Sequence, residues 1–268
     1  MHYQKFTPCK PLKPFVECYF SWKGLAEKEL DIQSPPNNFA AIVFNYETPY
    51  QSYQNNTLKI VAPKAFACGL FTSNYHLVVK GKIGMVGIVF KATSMHNFFG
   101  LRMSGLVNNR MALEQVLPEE TGSVLKAIGS ALTDEEKIKI LEEFVLSRLA
   151  DAKSRLSVID DAVELIDRHK GSISVVEVAE ELKISKRYLE KKFLEKVGVS
   201  PKFYARIKRF AHLSNVLAHS PKVDWQDIVY QNGFHDQSHL VKEFMEFNQM
   251  NPSDYHLKHN ELIRFVKR

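Results

Sequence analysis

The sequence lacks the features that mark several classes of protein. No run of about 18 apolar residues occurs in its 268 residues, which excludes an ordinary transmembrane helix. Residues 1–13 contain no apolar core of the signal-peptide type, so we expect a cytoplasmic protein without a membrane partner. The motifs of phosphate-binding loops, serine hydrolases and zinc proteases are also absent, and we predict that the protein is not an enzyme.

Cysteine and histidine are too sparse to indicate a disulfide framework or a metal centre. The three cysteines, Cys9, Cys18 and Cys68, all lie in the first quarter of the chain, and none is part of a CxxC motif. We interpret them as partly buried, reduced thiols. His76 and His96 are isolated and have no partner at ligand spacing. The sequence therefore predicts no metal, no cofactor and no catalytic residue.

Positive charge is present in modest excess but is concentrated in one segment. The whole chain has 36 Lys and Arg against 30 Asp and Glu, a net charge of +6. Residues 186–209 alone contain nine basic and two acidic residues, a larger excess than that of the whole chain. Such a concentration is typical of a phosphate-binding surface, and a solvated helix face is the alternative reading.

The first part of the chain has the pattern of a small β-rich domain. Short aromatic and β-branched runs alternate with Pro and Gly, which predicts closely spaced strands in a barrel or sandwich. Runs on either side of Gly81 suggest a hairpin there. The predicted strands cover residues 15–20, 39–46, 58–61, 65–71, 76–80 and 83–90.

Helices follow these strands within the same domain. Residues 93–100 predict a short helix that ends at Gly100, and residues 119–132 predict another. Thr133 and Glu136 form a capping box before an amphipathic helix. We place the domain boundary at the polar stretch 151–155, which gives an N-terminal domain over residues 1–152.

The rest of the chain predicts an all-α domain over residues 157–268. Ser200-Pro201 is an N-cap followed by proline at the first helical position, which opens a long helix to about Ala218. Ser174 and Glu177 form a second capping box. The other predicted N-caps are Ser157, Ser185, Asp224, Asp236 or His235, and Asn251.

An offset of 51 residues aligns two halves of this helical region, which indicates a duplicated unit. In each half a short helix, a tight turn, a second helix and a capped proline follow one another, as in a helix-turn-helix with a supporting helix. The complete prediction is an α+β two-domain fold in which a long helix joins two such units. The matching pairs are Ser185 and Asp236, Leu189 and Leu240, Phe193 and Phe244, Ser200 and Asn251, Pro201 and Pro252, and Tyr204 and Tyr255.

The two helices that begin after Ser185 and Asp236 have the pattern of recognition helices. In each, two apolar residues four apart predict a buried stripe, which leaves polar side chains near the helix start free to face a DNA groove. The long helix is suited to holding them about 34 Å apart, one turn of DNA.

These motifs resemble the DNA-binding domain of the AraC/XylS family of bacterial transcriptional regulators, over about residues 174–255. Two departures affect the second unit. The family's glycine before the final proline motif is missing from residues 247–251, where an Asn is able to adopt the left-handed conformation, and Tyr230 replaces a small residue. The resemblance rests on residues 178–185, Leu189, Phe193, 198–201, Ile228, 233–234, 236–240, Phe244 and 252–255.

The resemblance implies which residues contact double-stranded DNA. Arg187 would pair with guanine and Gln237 with adenine, each through two hydrogen bonds. Phosphate contacts position the protein without specifying sequence. The implied base-reading residues are Arg187, Glu190, Lys191, Gln237, Ser238, His239 and Lys242, and the implied phosphate contacts are Lys186, Lys192, Lys208 and Arg209.

The N-terminal domain resembles, more loosely, a domain type found in some AraC-like regulators. By that analogy it senses a small-molecule effector, dimerises, or does both, and RNA polymerase is a further expected partner. No ligand-binding residue is identified. We interpret its aromatic residues as core, with the lining of an apolar pocket as the alternative.

Two other hypotheses remain open. A DNA-repair alkyltransferase with an AraC-type tail would need a reactive cysteine in a zinc or Pro-Cys-His setting, but Lys10 follows Cys9 where the His would stand. A protein-interaction module that has lost DNA binding is disfavoured by the basic segment 186–209.

Overall fold

The N-terminal domain is built on one mostly antiparallel sheet. The structure is a computed structural model that describes residues 1–54, 57–219 and 224–258. The sheet order is β1-β2-β7-β3-β6-β8, and the β4–β5 hairpin pairs with β7 through β4. The strands are β1 (His2–Phe6), β2 (Val16–Ser34), β3 (Ala40–Asn45), β4 (Gln51–Gln54), β5 (Thr57–Val61), β6 (Ala65–Cys68), β7 (Tyr75–Phe90) and β8 (Arg110–Ala112).

The sheet carries a separate core on each of its faces. All six residues of β3 are buried, and successive side chains alternate between the two faces as strand geometry requires. Ile42 and Phe44 belong to the core that packs against the domain's helices, whereas Ala41 and Val43 belong to the other core. This β-rich domain with flanking helices confirms the predicted fold class.

The predicted hairpin at Gly81 is wrong. Residues 75–90 form the single strand β7, which pairs with β2 from Val16 to Ser34. Gly81 has a φ of +82°, and the register shifts between Ala26 and Leu30 on the facing strand. Glycine therefore bends this ribbon at an irregularity instead of turning the chain back.

Five helices belong to the N-terminal domain. α1 ends at Gly100, whose φ is +69°, and Thr133 with Glu136 caps α4, both as predicted. The polar stretch 151–155 lies mostly in a helix whose Ala152 is fully buried, and the boundary placed there stays a prediction. The helices are α1 (Ser94–Phe99), α2 (Leu113–Val116), α3 (Pro118–Ser130), α4 (Asp134–Leu146) and α5 (Leu149–Ser154).

In residues 157–219 and 224–258, the described part of the C-terminal region, seven further helices surround one core. Of the predicted domain 157–268, residues 220–223 and 259–268 lie outside the described part. Within the described part, no helix is long and apolar enough to cross a membrane. The helices are α6 (Val158–Arg168), α7 (Val175–Glu181), α8 (Lys186–Lys196), α9 (Pro201–His219), α10 (Trp225–Gln231), α11 (Gln237–Asn248) and α12 (Pro252–Lys258).

The 51-residue repeat is structural. Leu189, Phe193 and Leu240 are fully buried, and Phe244 is nearly so, in one continuous core. The left-handed residue after each second helix is Gly198 in the first unit, with φ of +95°, and Gln249 in the second, with φ of +55°. The expectation that an Asn takes this conformation is therefore wrong, because Gln249 stands at the position equivalent to Gly198. Tyr230 points into solvent and is 90% exposed.

Candidate nucleic-acid interface

The first unit consists of α7 and α8, joined by a turn that starts at Leu182. The Ser174 hydroxyl accepts a hydrogen bond from the Glu177 N–H, which begins α7, and the Ser185 hydroxyl accepts one from the Tyr188 N–H, which begins α8. Lys183 adopts a φ of +54° between the helices. The turn fixes α8 across α7, so that its apolar stripe is buried and its opposite face is free.

The free face of α8 contains the predicted base-reading residues of this unit. Arg187, Glu190 and Lys191 are exposed, and Lys186 beside them lies 3.8 Å from Glu190. Arg187 and Lys191 form no ion pair with any described residue, so their donors are available to a partner. The structure thus brings these side chains together on one helix face.

The second unit repeats this geometry with α10 and α11. The Asp236 carboxylate accepts a hydrogen bond of 2.7 Å from the His239 N–H and begins α11. That bond, and then the bond from His235, lowers the pKa of Asp236. Gln237, Ser238 and Lys242 are exposed on the face opposite the buried stripe. His239 is half-exposed, and its ring lies 3.9 Å from Glu243.

The long helix α9 joins the two units through aromatic contacts. The ring of Tyr204 packs edge-on against Phe193 of α8 at 5.5 Å between centroids. Two turns later Phe210 contacts Phe244 of α11 at 5.1 Å. Because all four rings are buried in the same core, α9 couples the orientation of one recognition helix to the other.

A groove of about 620 Å³ separates the exposed faces of the two units. Lys186 and Glu190 of α8 line it together with His239 and Lys242 of α11. Three of the predicted base-reading residues, Glu190, His239 and Lys242, therefore border one common depression, although the two units are about 50 residues apart in the chain.

Two of the predicted phosphate contacts already hold carboxylates. Lys208 lies 2.9 Å from Asp167, and Arg209 donates to Glu243 at 3.0 Å. Lys192 also pairs, at 2.8 Å, with the half-buried Glu195 of its own helix. The positive excess of residues 186–209 is thus partly neutralised by acids from other segments, and the phosphate roles of these residues stay predictions.

Glu243 is a buried acid that the sequence analysis did not single out. It is only 4% exposed and accepts hydrogen bonds from both Arg206 and Arg209. Arg206 also donates to Glu246 at 2.6 Å. Removing one member would leave buried charge unpaired, so this cluster fixes α9 against α11. Only a weak sequence signal indicates its burial: an acid directly precedes Phe244 on the inner side of the helix.

A second buried network fixes the end of α8 against the N-terminal domain. The Lys196 ammonium donates to Asn97 Oδ1 at 3.0 Å and lies 3.3 Å from Asp160, which also accepts from the Thr93 hydroxyl. Burial acts to raise the pKa of Asp160, but the Thr93 hydrogen bond and the charge of Lys196 outweigh it and hold that pKa below its usual range. The first recognition helix is therefore tied to the sheet domain.

The remaining chemistry of the described residues gives no metal or thiol centre. No group of three or more His, Cys, Asp or Glu side chains is arranged to hold a metal ion in the described ranges. Burial is the main cause that raises the pKa of each thiol, at Cys9, Cys18 and Cys68. A nucleophilic cysteine requires the opposite shift.

Two family models match separate parts of the chain. Residues 4–112 match a family model described as a domain of unknown function (DUF6597), and residues 178–258 match one described as a helix-turn-helix domain. The second match begins inside α7 and ends with α12, so it covers both units and the helix between them.

Two relatives are operon regulators. The Msm operon regulatory protein of Streptococcus mutans is 30% identical over 121 residues, which are 43% of this chain and 42% of that protein. The lactose operon transcription activator of Staphylococcus xylosus is 32% identical over 98 residues, 36% of this chain and 35% of that protein. The chain thus spans less than half the length of either relative.

Among solved structures, ToxT from Vibrio cholerae aligns along 96% of this chain and 98% of its own, with 13% identity and a TM-score of 0.43.

Proposed function

We propose that this chain, whose residues 178–258 form a helix-turn-helix domain of the AraC type, is a sequence-specific DNA-binding transcriptional regulator. The observation that carries the proposal is the pair of capped helices α8 and α11. Each buries an apolar stripe in a shared core and exposes polar donors over its first two turns. That combination is what reading the major groove requires.

In the proposed complex α8 and α11 enter successive major grooves on one face of the duplex. Arg187 donates two hydrogen bonds to a guanine, and Gln237 pairs in the same manner with an adenine. Glu190, Lys191, Ser238, His239 and Lys242 complete the base contacts. Lys186 and Lys192 meet phosphates, and Lys208 and Arg209 do so only if their ion pairs with Asp167 and Glu243 rearrange.

The proposal includes control by the N-terminal domain. A small molecule or a partner acts there and alters how α8 meets DNA through the buried network around Lys196 and Asp160. The partners proposed besides DNA are RNA polymerase and a second copy of the chain, in the cytoplasm. Sedimentation of the full chain with and without duplex DNA tests the second copy.

Salt-dependent binding to mixed-sequence duplex DNA tests the proposal. We expect log Kd to rise linearly with log salt concentration for the full chain, because phosphate contacts release counterions. Arg187→Ala with Lys191→Ala should weaken binding, whereas Arg168→Ala should not. Arg168 is an exposed arginine on α6 and serves as the matched control. Absence of binding, or equal weakening by the control, would overturn the proposal.

A further inference from the structure

The N-terminal sheet contains an apolar cavity on the face away from its helices. Its volume is about 210 Å³, and its walls come from the second of the two sheet cores. For comparison, an apolar protein cavity of about 150 Å³ is known to hold benzene. The available space therefore fits one aromatic ring or a short alkyl chain. Its apolar lining includes Phe20, Trp22, Ile32, Val43, Phe66 and Leu77.

One full positive charge lines this largely apolar space. Arg110, on β8, is only 6% exposed. Its Nε donates to the Tyr50 hydroxyl at 3.2 Å, and one terminal nitrogen donates to the Ser52 hydroxyl at 2.8 Å. A guanidinium has five N–H donors, so three have no hydrogen-bond partner among the described residues. No Asp or Glu in the described ranges forms an ion pair with Arg110.

The surroundings of Arg110 stabilise its charge without neutralising it. The guanidinium carbon lies 4.5 Å from the centre of the Phe71 ring and 4.9 Å from that of Tyr75, which are cation–π distances. Burial raises the pKa of Tyr50 to about 12, and it also raises the pKa of Tyr75 and of Cys68. These neighbours therefore remain uncharged at neutral pH. Burying a cation without a nearby anion costs free energy, so the three free donors of Arg110 favour binding of an anion.

We propose that Arg110 anchors the carboxylate of a small monocarboxylic acid whose apolar body fills this cavity. A carboxylate matches the fork of guanidinium donors. A sugar would leave most of its hydroxyls without partners against this lining, and a cation would be repelled. Such an acid is the small-molecule effector of the proposed function, and its expected effect on DNA affinity rests on that function.

Two chain segments connect this cavity to the first recognition helix. Residues 69–72 and 106–110 are joined by hydrogen bonds, from Asn108 N–H to the Leu70 carbonyl at 3.0 Å and from the Asn108 side chain to the Thr72 hydroxyl at 2.7 Å. Phe71 covers Arg110, whereas the adjacent Leu70 is buried in the core of the C-terminal region.

The second of these segments also contacts the end of α8. A β-carbon added at Gly198 would lie only 2.7 Å from a side-chain methyl carbon of Val107, which shows how tightly this segment packs against the end of α8. An acid bound to Arg110 therefore lies only three residues along the chain from Val107, which packs against the end of α8. We expect occupancy of the cavity to change DNA affinity by about fivefold or more, the lower end of usual allosteric coupling.

Calorimetry on the full chain with 3-phenylpropanoate and hexanoate, and with the neutral amide of each acid, tests the site. At least one acid should bind, at least tenfold more tightly than its amide. Arg110→Gln should remove that preference. Because this variant risks misfolding, Ile32→Phe provides a second test, since it fills the cavity while keeping Arg110. Arg102→Gln, an exposed arginine of the same domain, is the matched control and should bind as the unaltered chain does.

The outcomes separate this inference from the proposed function. Acid binding that depends on Arg110 supports the site even if the chain fails to bind DNA, in which case the proposed function is wrong. DNA binding without binding of either acid at 10 mM, or with amides bound as tightly as acids, overturns the inference alone. Acid binding that leaves DNA affinity unchanged overturns the coupling through residues 69–72 and 106–110.

Discussion

The two helix-turn-helix units share a buried frame but differ in surface and in attachment. The exposed face of α8 is charged, with Arg187 and Lys191 prominent, whereas α11 begins with the neutral polar residues Gln237 and Ser238. The end of α8 is fixed to the N-terminal domain by Lys196, and α11 is fixed to α9 by Glu243. The two units thus share the buried residues that stabilise the fold, but they differ in their exposed residues and in the segments to which they are attached.

The largest effect is expected at Gly198. Its φ of +95° is costly for any other residue, and a β-carbon there would lie 2.8 Å from the Met103 carbonyl oxygen. Gly198→Ala should lower the free energy of unfolding by about 3 kcal/mol, as measured by urea denaturation. Gly122→Ala is the control, since no atom lies near its added carbon. If Gly198→Ala does not lower the free energy of unfolding relative to this control, α8 is not held against Val107 and Met103.

Breaking the attachment of α8 should have the next largest effect. Asp160→Ala leaves the Lys196 ammonium buried with only neutral partners, and we expect a loss of roughly 2 kcal/mol in the free energy of unfolding. Asp161→Ala removes an exposed neighbour in the same helix turn and should cost under about 1 kcal/mol. Equal losses in the two variants would argue against a buried network at this contact.

The contributions of the two units to specificity should be similar in size but different in place. Arg187→Ala and Gln237→Ala should each cost roughly 1 to 3 kcal/mol of discrimination against the wrong base. Competition assays with duplexes altered at single positions measure this loss. The two variants should tolerate changes at different positions of the site. If both relax the same position, the assignment of one block to each unit is wrong.

A smaller gain in stability is expected at the position equivalent to Gly198. Gln249 holds a left-handed conformation that glycine adopts without strain. Gln249→Gly should raise the free energy of unfolding by about 0.5 kcal/mol, whereas the same change at the exposed Met245 should lower it by introducing glycine inside a helix. Destabilisation by Gln249→Gly would show that the Gln side chain has a role of its own.

The smallest expected effect is a difference in pH dependence between the N-caps of α8 and α11. The carboxylate of Asp236 titrates, but the hydroxyl of Ser185 does not. Because hydrogen bonds lower the pKa of Asp236, its contribution to stability is complete above the ordinary Asp value near 3.9 and is lost as pH falls through the lowered pKa. The His239 amide signal in NMR spectra should follow that titration, while the Tyr188 amide signal should not. A midpoint above the ordinary value would contradict the cap.

Features set by local sequence were predictable, and features set by distant partners were not. The caps at Thr133, Ser174 and Asp236 depend on residues within one helical turn, so short motifs identified them. The continuity of β7 was missed because Gly81 has the same local signal whether it turns or bends a strand. Its 16 residues are decided by pairing with β2, whose partner residues lie between 41 and 74 positions away in the chain.

The same distinction between local sequence and distant partners applies to the candidate nucleic-acid interface and to the cavity. The exposed faces of α8 and α11 follow from the apolar stripe on the opposite side of each helix. The charge balance of the site does not follow from these stripes, because Asp167 and Glu243, which lie on other helices, form ion pairs with Lys208 and Arg209. Arg110 could not be recognised either, since a lone arginine in a three-residue strand has no local signal of burial in an aromatic cavity.

Selection of bound sequences from random duplex DNA, with the full chain at moderate salt, tests directly whether both α8 and α11 read DNA. We expect a motif of two short blocks whose centres lie about one helical turn, roughly 10 base pairs, apart. A single block, or no enrichment with or without the acids tested above, would contradict the claim that α8 and α11 are two working recognition helices.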